Sequence, residues 1–107
     1  MTKLLKLFMA VALVLGVASS TASADVVKGQ KIFIKKFKAP CGFNGAKFAS
    51  KHTQAEWEAV KDTALFKAEF IKICPNVKES DIKDKWVPHL YDFSYEYAND
   101  SGNVPSC

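Results

Sequence analysis

The sequence predicts an all-α domain, a compact bundle of four or five short helices. Three observations predict it. Apolar residues recur at helical spacing in several segments, each bounded by helix-start and helix-stop residues. No segment alternates apolar and polar residues as a half-buried strand does, and no repeat or low-complexity stretch interrupts the pattern. Seven of the eight phenylalanines, both tryptophans and all three tyrosines lie in residues 25–107, which suits a small packed core and argues against a disordered chain.

The folded part is expected to begin at Asp25. Lys3 and Lys6 form a short positive stretch, Leu7 to Val17 is an apolar run, and Ala22-Ser23-Ala24 is a small-residue cleavage site. That order is the layout of a cleaved secretory signal over residues 1–24. The apolar run falls short of the roughly 20 residues a membrane span requires. No later segment is longer, so no membrane span is expected after cleavage. Residues 25–107 then form one exported, periplasmic domain near the lower size limit for a self-sufficient core.

Without Lys3 and Lys6 the chain keeps 13 lysines against 11 carboxylates, a net charge of +2. There is no arginine. Proteins that read nucleic acid lean on arginine for bidentate phosphate and guanine contacts, so a nucleic-acid partner is not expected.

Taken in order, Asp25 is placed to cap a helix from about Val26 to Lys38. Val26, Ile32, Phe33, Ile34 and Phe37 fall largely on one side, and Lys28, Lys31, Lys35, Lys36 and Lys38 take up the rest. That lysine face reads as a solvated surface whose late lysines complement the helix dipole, or as a docking face for an acidic partner. Pro40 and Gly42 end the helix around Cys41. Asn44 is a cap for a short helix through Ala46, Phe48 and Lys51. Thr53-Gln54-Ala55-Glu56 is a capping box opening a helix with Trp57 and Val60 inward.

A further helix covers Thr63 to Cys74, with Leu65, Phe66, Ala68, Phe70, Ile71 and Ile73 as a broad apolar face and Pro75 closing it. Ile82, Trp86, Leu90, Phe93 and Tyr97 then form one helical stripe. Pro88 interrupts that stripe as a kink or as the first residue of a second helix. Asn99 to Gly102 ends the unit.

Three cysteines remain after cleavage: Cys41, Cys74 and Cys107. In an oxidising compartment one disulfide is expected, and Cys107 would tie down the tail by pairing with Cys41 or Cys74. The third cysteine is left over. There is no C-x-x-C for thioredoxin-type redox chemistry. His52 and His89 are the only imidazoles; with Cys41 they are candidate ligands for a transition metal or haem iron, although no two share the short spacing of a zinc motif. Each histidine has a plain structural reading as well, His52 beside a helix cap and His89 bonded to a carbonyl. No nucleophile–base pair and no glycine-rich phosphate loop stand out, so an enzyme is not expected.

The stretch Asp25-Val-Val-Lys-Gly-Gln-Lys-Ile-Phe-Ile-Lys-Lys-Phe37 resembles the opening helix of class I cytochromes c, matching at Lys28, Gly29, Ile32 and Phe33. The whole of residues 25–107 also resembles a group of small exported bacterial proteins labelled cytochrome c, through CGFNGAKFASKHT, the IC-P step, PHLYDF and the GNVPSC ending. The resemblance implies a cytochrome-c-like fold in which Gly29 lets the first helix cross the last closely and Phe33 packs on that last helix. It also implies haem-linked electron transfer.

The chain departs from the pattern at the haem site. Phe37 and Pro40 stand where the linking cysteines belong, and Cys41 at the axial histidine. A shift of one residue puts Cys41 at the second linking cysteine and Gly42 at the histidine. Met1 and Met9, the only methionines, leave with the signal. A haem would therefore need Cys41 with His52 or His89, in a pocket lined by Phe37, Phe43, Phe48, Trp57 and Trp86. The residues by themselves favour a different reading: a helical binding module for a periplasmic partner or ligand that fills the cofactor volume with aromatic rings and holds itself by a disulfide. A small metal carrier using Cys41, His52 and His89 is the third.

Overall fold

The computed structural model describes residues 25–104. The expected signal, residues 1–24, and Cys107 lie outside them. All regular structure in the described residues is helical, as the periodicity predicts.

The first helix starts at Asp25, whose carboxylate accepts from the amides of Val27 and Lys28. It runs as α1 (Val26–Ile32), a π-turn (Phe33–Phe37) and α2 (Lys38–Cys41). The π-turn has a packing cause. Gly29, Phe33 and Phe37 are all buried, one face at steps of four. In a pure α-helix each such step overshoots the turn by about 40°. The wider π-turn, in which the Lys38 amide donates to the Phe33 carbonyl, takes up that overshoot and keeps both rings inward. The apolar face is therefore narrower than the sequence suggests. Ile34, expected on the inner side, is 42% exposed.

Gly42, with φ of 86°, ends α2 in a left-handed cap and donates to the Lys38 carbonyl. Asn44 caps α3 (Gly45–Ala49) through its side-chain oxygen. Thr53 and Glu56 form the expected capping box at α4 (Gln54–Ala59). Asp62 caps α5 (Thr63–Ile73), whose buried face is the Phe66–Phe70 line; Leu65 and Ala68, expected inward, are exposed. Two 3₁₀ turns, Glu79–Asp81 and Asp84–Trp86, lead into α6 (Val87–Glu96). Pro88 lies in the first turn of α6, where its missing amide costs nothing. Its place as a starter rather than a kink is thus settled, and Ile82 and Trp86 precede the helix.

The close crossing expected at Gly29 is present. A Cβ there would stand 2.1 Å from the His89 carbonyl oxygen and 2.9 Å from Phe93 Cβ, so only glycine lets α1 and α6 approach this far. Phe33 stacks on Phe93, centroids 6.3 Å apart. Gly45 admits α3 to the same place, its missing side chain occupied by the Phe93 ring tip. Around this crossing the core is a lattice of rings: Phe48 on Phe70 at 4.5 Å, Phe37 on Phe70 at 4.8 Å, Phe33 on Phe48 at 5.1 Å and Phe48 on Trp57 at 5.4 Å. Among the described residues the buried side-chain polar atoms are paired. Trp57 Nε1 donates to the Ala49 carbonyl and the Ser94 hydroxyl to the Leu90 carbonyl. No described helix is long and apolar enough to cross a membrane.

Candidate functional site

The three residues expected to share a cofactor are each engaged elsewhere. Cys41 is joined to Cys74 in a disulfide with Cα atoms 4.7 Å apart. This differs from the expected pairing through Cys107: both of its candidate partners are bonded to each other. The physical reason is the fold. The end of α2 and the end of α5 meet across the Phe37–Phe70 ring contact, which brings the two residues within disulfide reach. A sulfur bonded to sulfur has no thiol to form a thioether and no thiolate to ligate a metal.

His89 sits where α6 passes α1, and its Nδ1 accepts from the Asp25 backbone nitrogen at 3.0 Å. It bonds an amide rather than a carbonyl, and thereby ties the start of the first helix to the last. His52 lies between two carboxylates. Its Nε2 is 2.6 Å from Glu69 and its Nδ1 3.3 Å from Glu56, with the ring edge-on to Trp57. Its carbonyl accepts from the Asn99 amide. His52 is therefore a clasp between α4, α5 and the segment after α6. Among the described residues no three His, Cys, Asp or Glu side chains are grouped to hold a metal. The lining expected for a haem pocket is split: Phe37, Phe48 and Trp57 are packed ring on ring, Trp86 is half-buried against Phe37, and Phe43 faces a surface groove.

The clasp has a pH signature. Glu56 is held below its ordinary value of 4.5, first by the Thr53 backbone amide that donates to it, against an opposing desolvation, and further by His52. A carboxylate lowered on folding contributes stability that is present above its unfolded pKa and lost as pH falls through the folded one. Glu56→Gln keeps an oxygen for the capping box but removes the ionisation. In denaturant titrations between about pH 6 and 3 the stability lead of the native chain over this variant is expected to shrink as pH falls. Parallel curves would contradict the assignment.

The groove at the α2–α3 corner is the site that sequence reading did not assemble. Gly42 reverses the chain, Phe43 follows it, and Asn44 starts α3. Ile34, Lys38, Ala39, Gly42 and Phe43 line a concave, open groove of about 420 Å³. Lys47 and Lys51, one helical turn apart, hold their ammonium groups 5.8 and 5.2 Å from the centre of the Phe43 ring. The disulfide fixes the groove at its base, since Cys41 directly precedes Gly42, and Asn76 adds a bond to the Pro40 carbonyl. Lys38 belonged to the lysine face seen in sequence; Phe43, Lys47 and Lys51 did not.

No protein-family model matches the chain, and neither the characterised proteins nor the solved structures offer a match.

Proposed function

We propose that this is an exported helical binding module that works without haem, and that it keeps a cytochrome-c-like crossing of first and last helices as architecture. The single observation that carries the reading is the use of Cys41 in the bond to Cys74. Cys41 is the cysteine that the haem reading needs. The crossing at Gly29 with Phe33 on Phe93 supports the architectural part. The rings of Phe37, Phe48, Trp57 and Phe70 occupy the volume between the helices, which supports the cofactor-free part. A disulfide in a domain of this size suits an oxidising, extracytoplasmic compartment. The groove at the α2–α3 corner supports a binding surface for a protein partner.

Electron transfer through haem is the competing reading, and it needs His52 or His89 as the iron ligand. Titration of the purified oxidised domain with haemin separates the two. The proposal expects the haemin spectrum to stay that of the free compound. A sharp Soret shift that is lost in His52→Ala or His89→Ala would overturn it.

A further inference from the structure

The charges of this chain are unevenly distributed. Residues 26–55 carry seven lysines and no aspartate or glutamate, whereas residues 56–104 carry ten carboxylates against six lysines. The groove lies within the lysine-only part. Its floor is apolar: Ile34 is 42% exposed, and Phe43 is half-buried. Its surroundings are cationic: Lys38 lines it, and Lys47 and Lys51 stand over its Phe43 ring. None of the residues lining it is acidic.

From this we infer that the groove docks an acidic segment of a partner protein, a stretch of aspartate and glutamate that presents one apolar or aromatic side chain. The inference rests on the reading of the domain as a binding module and adds the place and the chemistry of the partner. The apolar or aromatic side chain enters beside Ile34 and Phe43, and flanking carboxylates meet the Lys38, Lys47 and Lys51 ammonium groups.

The lining argues for a protein segment over an anionic bilayer. A bilayer is entered by a continuous apolar helix face, whereas here the apolar residues Ile34, Ala39 and Phe43 are set among Lys38, Lys47 and Lys51. The lysines set the rate and the sign selectivity of encounter, and the apolar floor sets which acidic segment stays. One small groove makes a weak, exchanging contact of the low-area class.

The test uses the oxidised domain labelled with ¹⁵N and two synthetic peptides, one of aspartates and glutamates around a central phenylalanine and one with serine at the centre. The amides of Ile34, Lys38, Ala39, Gly42 and Phe43 are expected to shift together with the phenylalanine peptide. The serine peptide should bind about tenfold more weakly. Lys47→Glu with Lys51→Glu, both at exposed positions, should keep the helical circular dichroism and weaken the phenylalanine peptide about tenfold or more. Added salt should weaken both peptides while the preference for phenylalanine persists.

Equal binding of the two peptides, with shifts spread over Lys28 and Lys31 as well, would reduce the groove to diffuse charge attraction and overturn the inference. So would binding of anionic phosphatidylglycerol vesicles, lost in the same lysine variants, when neither peptide binds. The same shifts arising on concentrating the domain alone would assign the surface to a second copy and also overturn it. A haem found in the protein would refute the cofactor-free reading alone, because the two peptides decide the groove independently of it.

Discussion

Replacing both Cys41 and Cys74 by alanine is expected to lower the unfolding free energy by about 3–4 kcal/mol. The two residues are 33 apart in sequence, and closing a loop of that length removes roughly this much conformational freedom from the unfolded chain. For a domain of about 80 residues the loss corresponds to a fall in melting temperature on the order of 15–25 °C. It would consume most of the roughly 5 kcal/mol that a core of this size supplies. The bond also sets the base of the α2–α3 corner, so the double variant and the reduced native chain should both lose order at Gly42 and Phe43. Thermal melts of oxidised, reduced and variant protein check this. A difference below about 1 kcal/mol between oxidised and reduced protein would mean that the ring lattice alone carries the fold.

The second large effect is expected at Gly29. In Gly29→Ala the new methyl carbon meets the carbonyl oxygen and carbon of His89 at 2.1 and 2.7 Å. Both are backbone atoms of a helix, so neither can swing away; α1 and α6 must separate. Alanine favours an isolated helix by about 1 kcal/mol over glycine, and the forced separation outweighs it, leaving a net loss of about 3 kcal/mol. The Asp25–His89 bond at the same crossing should be lost with it, visible as a change in the His89 ring resonances. Gly42→Ala is the internal control. Nothing lies within 4 Å of a Cβ there, and the cost comes only from a φ of 86°, about 1 kcal/mol. If Gly42→Ala proved the more damaging of the two, the close crossing would not be what holds the first and last helices together.

What the sequence makes legible here is local. The carboxylate of Asp25, the side-chain oxygen of Asn44 and the Thr53–Glu56 box each satisfy amides within three residues, so their roles can be read without knowing the fold. Pro88 is half-legible: its ring excludes a helix interior, and only its neighbours decide between a kink and a start. Periodicity misplaces Ile34 and Leu65, because both are apolar and both adjoin a buried phenylalanine at helical spacing. Yet the crossing at Gly29 admits one narrow face of the first helix, and the Phe66–Phe70 line fills the opposing space. The π-turn leaves no sequence mark of its own; it follows from keeping Gly29, Phe33 and Phe37 on one line.

The candidate site was harder to see. Which cysteines meet is a question of tertiary approach, and Cys41 reaches Cys74 only because Phe37 and Phe70 pack. The groove is assembled from Ile34 before the turn and Lys51 well after it, so no short motif announces it. One signal was present all along: thirty consecutive residues, 26–55, without a carboxylate. Histidines are ambiguous for another reason. His52 between the nearby Glu56 and the distant Glu69, and His89 bonded to the far-off Asp25 nitrogen, are structural clasps that each depend on a partner from another segment.

In the proposed function Cys41 serves a disulfide and the protein works without haem. Protein purified from the cells that make it, without added haem, tests this most directly through its absorption spectrum together with peptide mapping under non-reducing conditions. No Soret band is expected, and one linked peptide pair joins Cys41 to Cys74. A Soret band that survives acid-acetone extraction, with the haem mass on a Cys41 peptide, would contradict it.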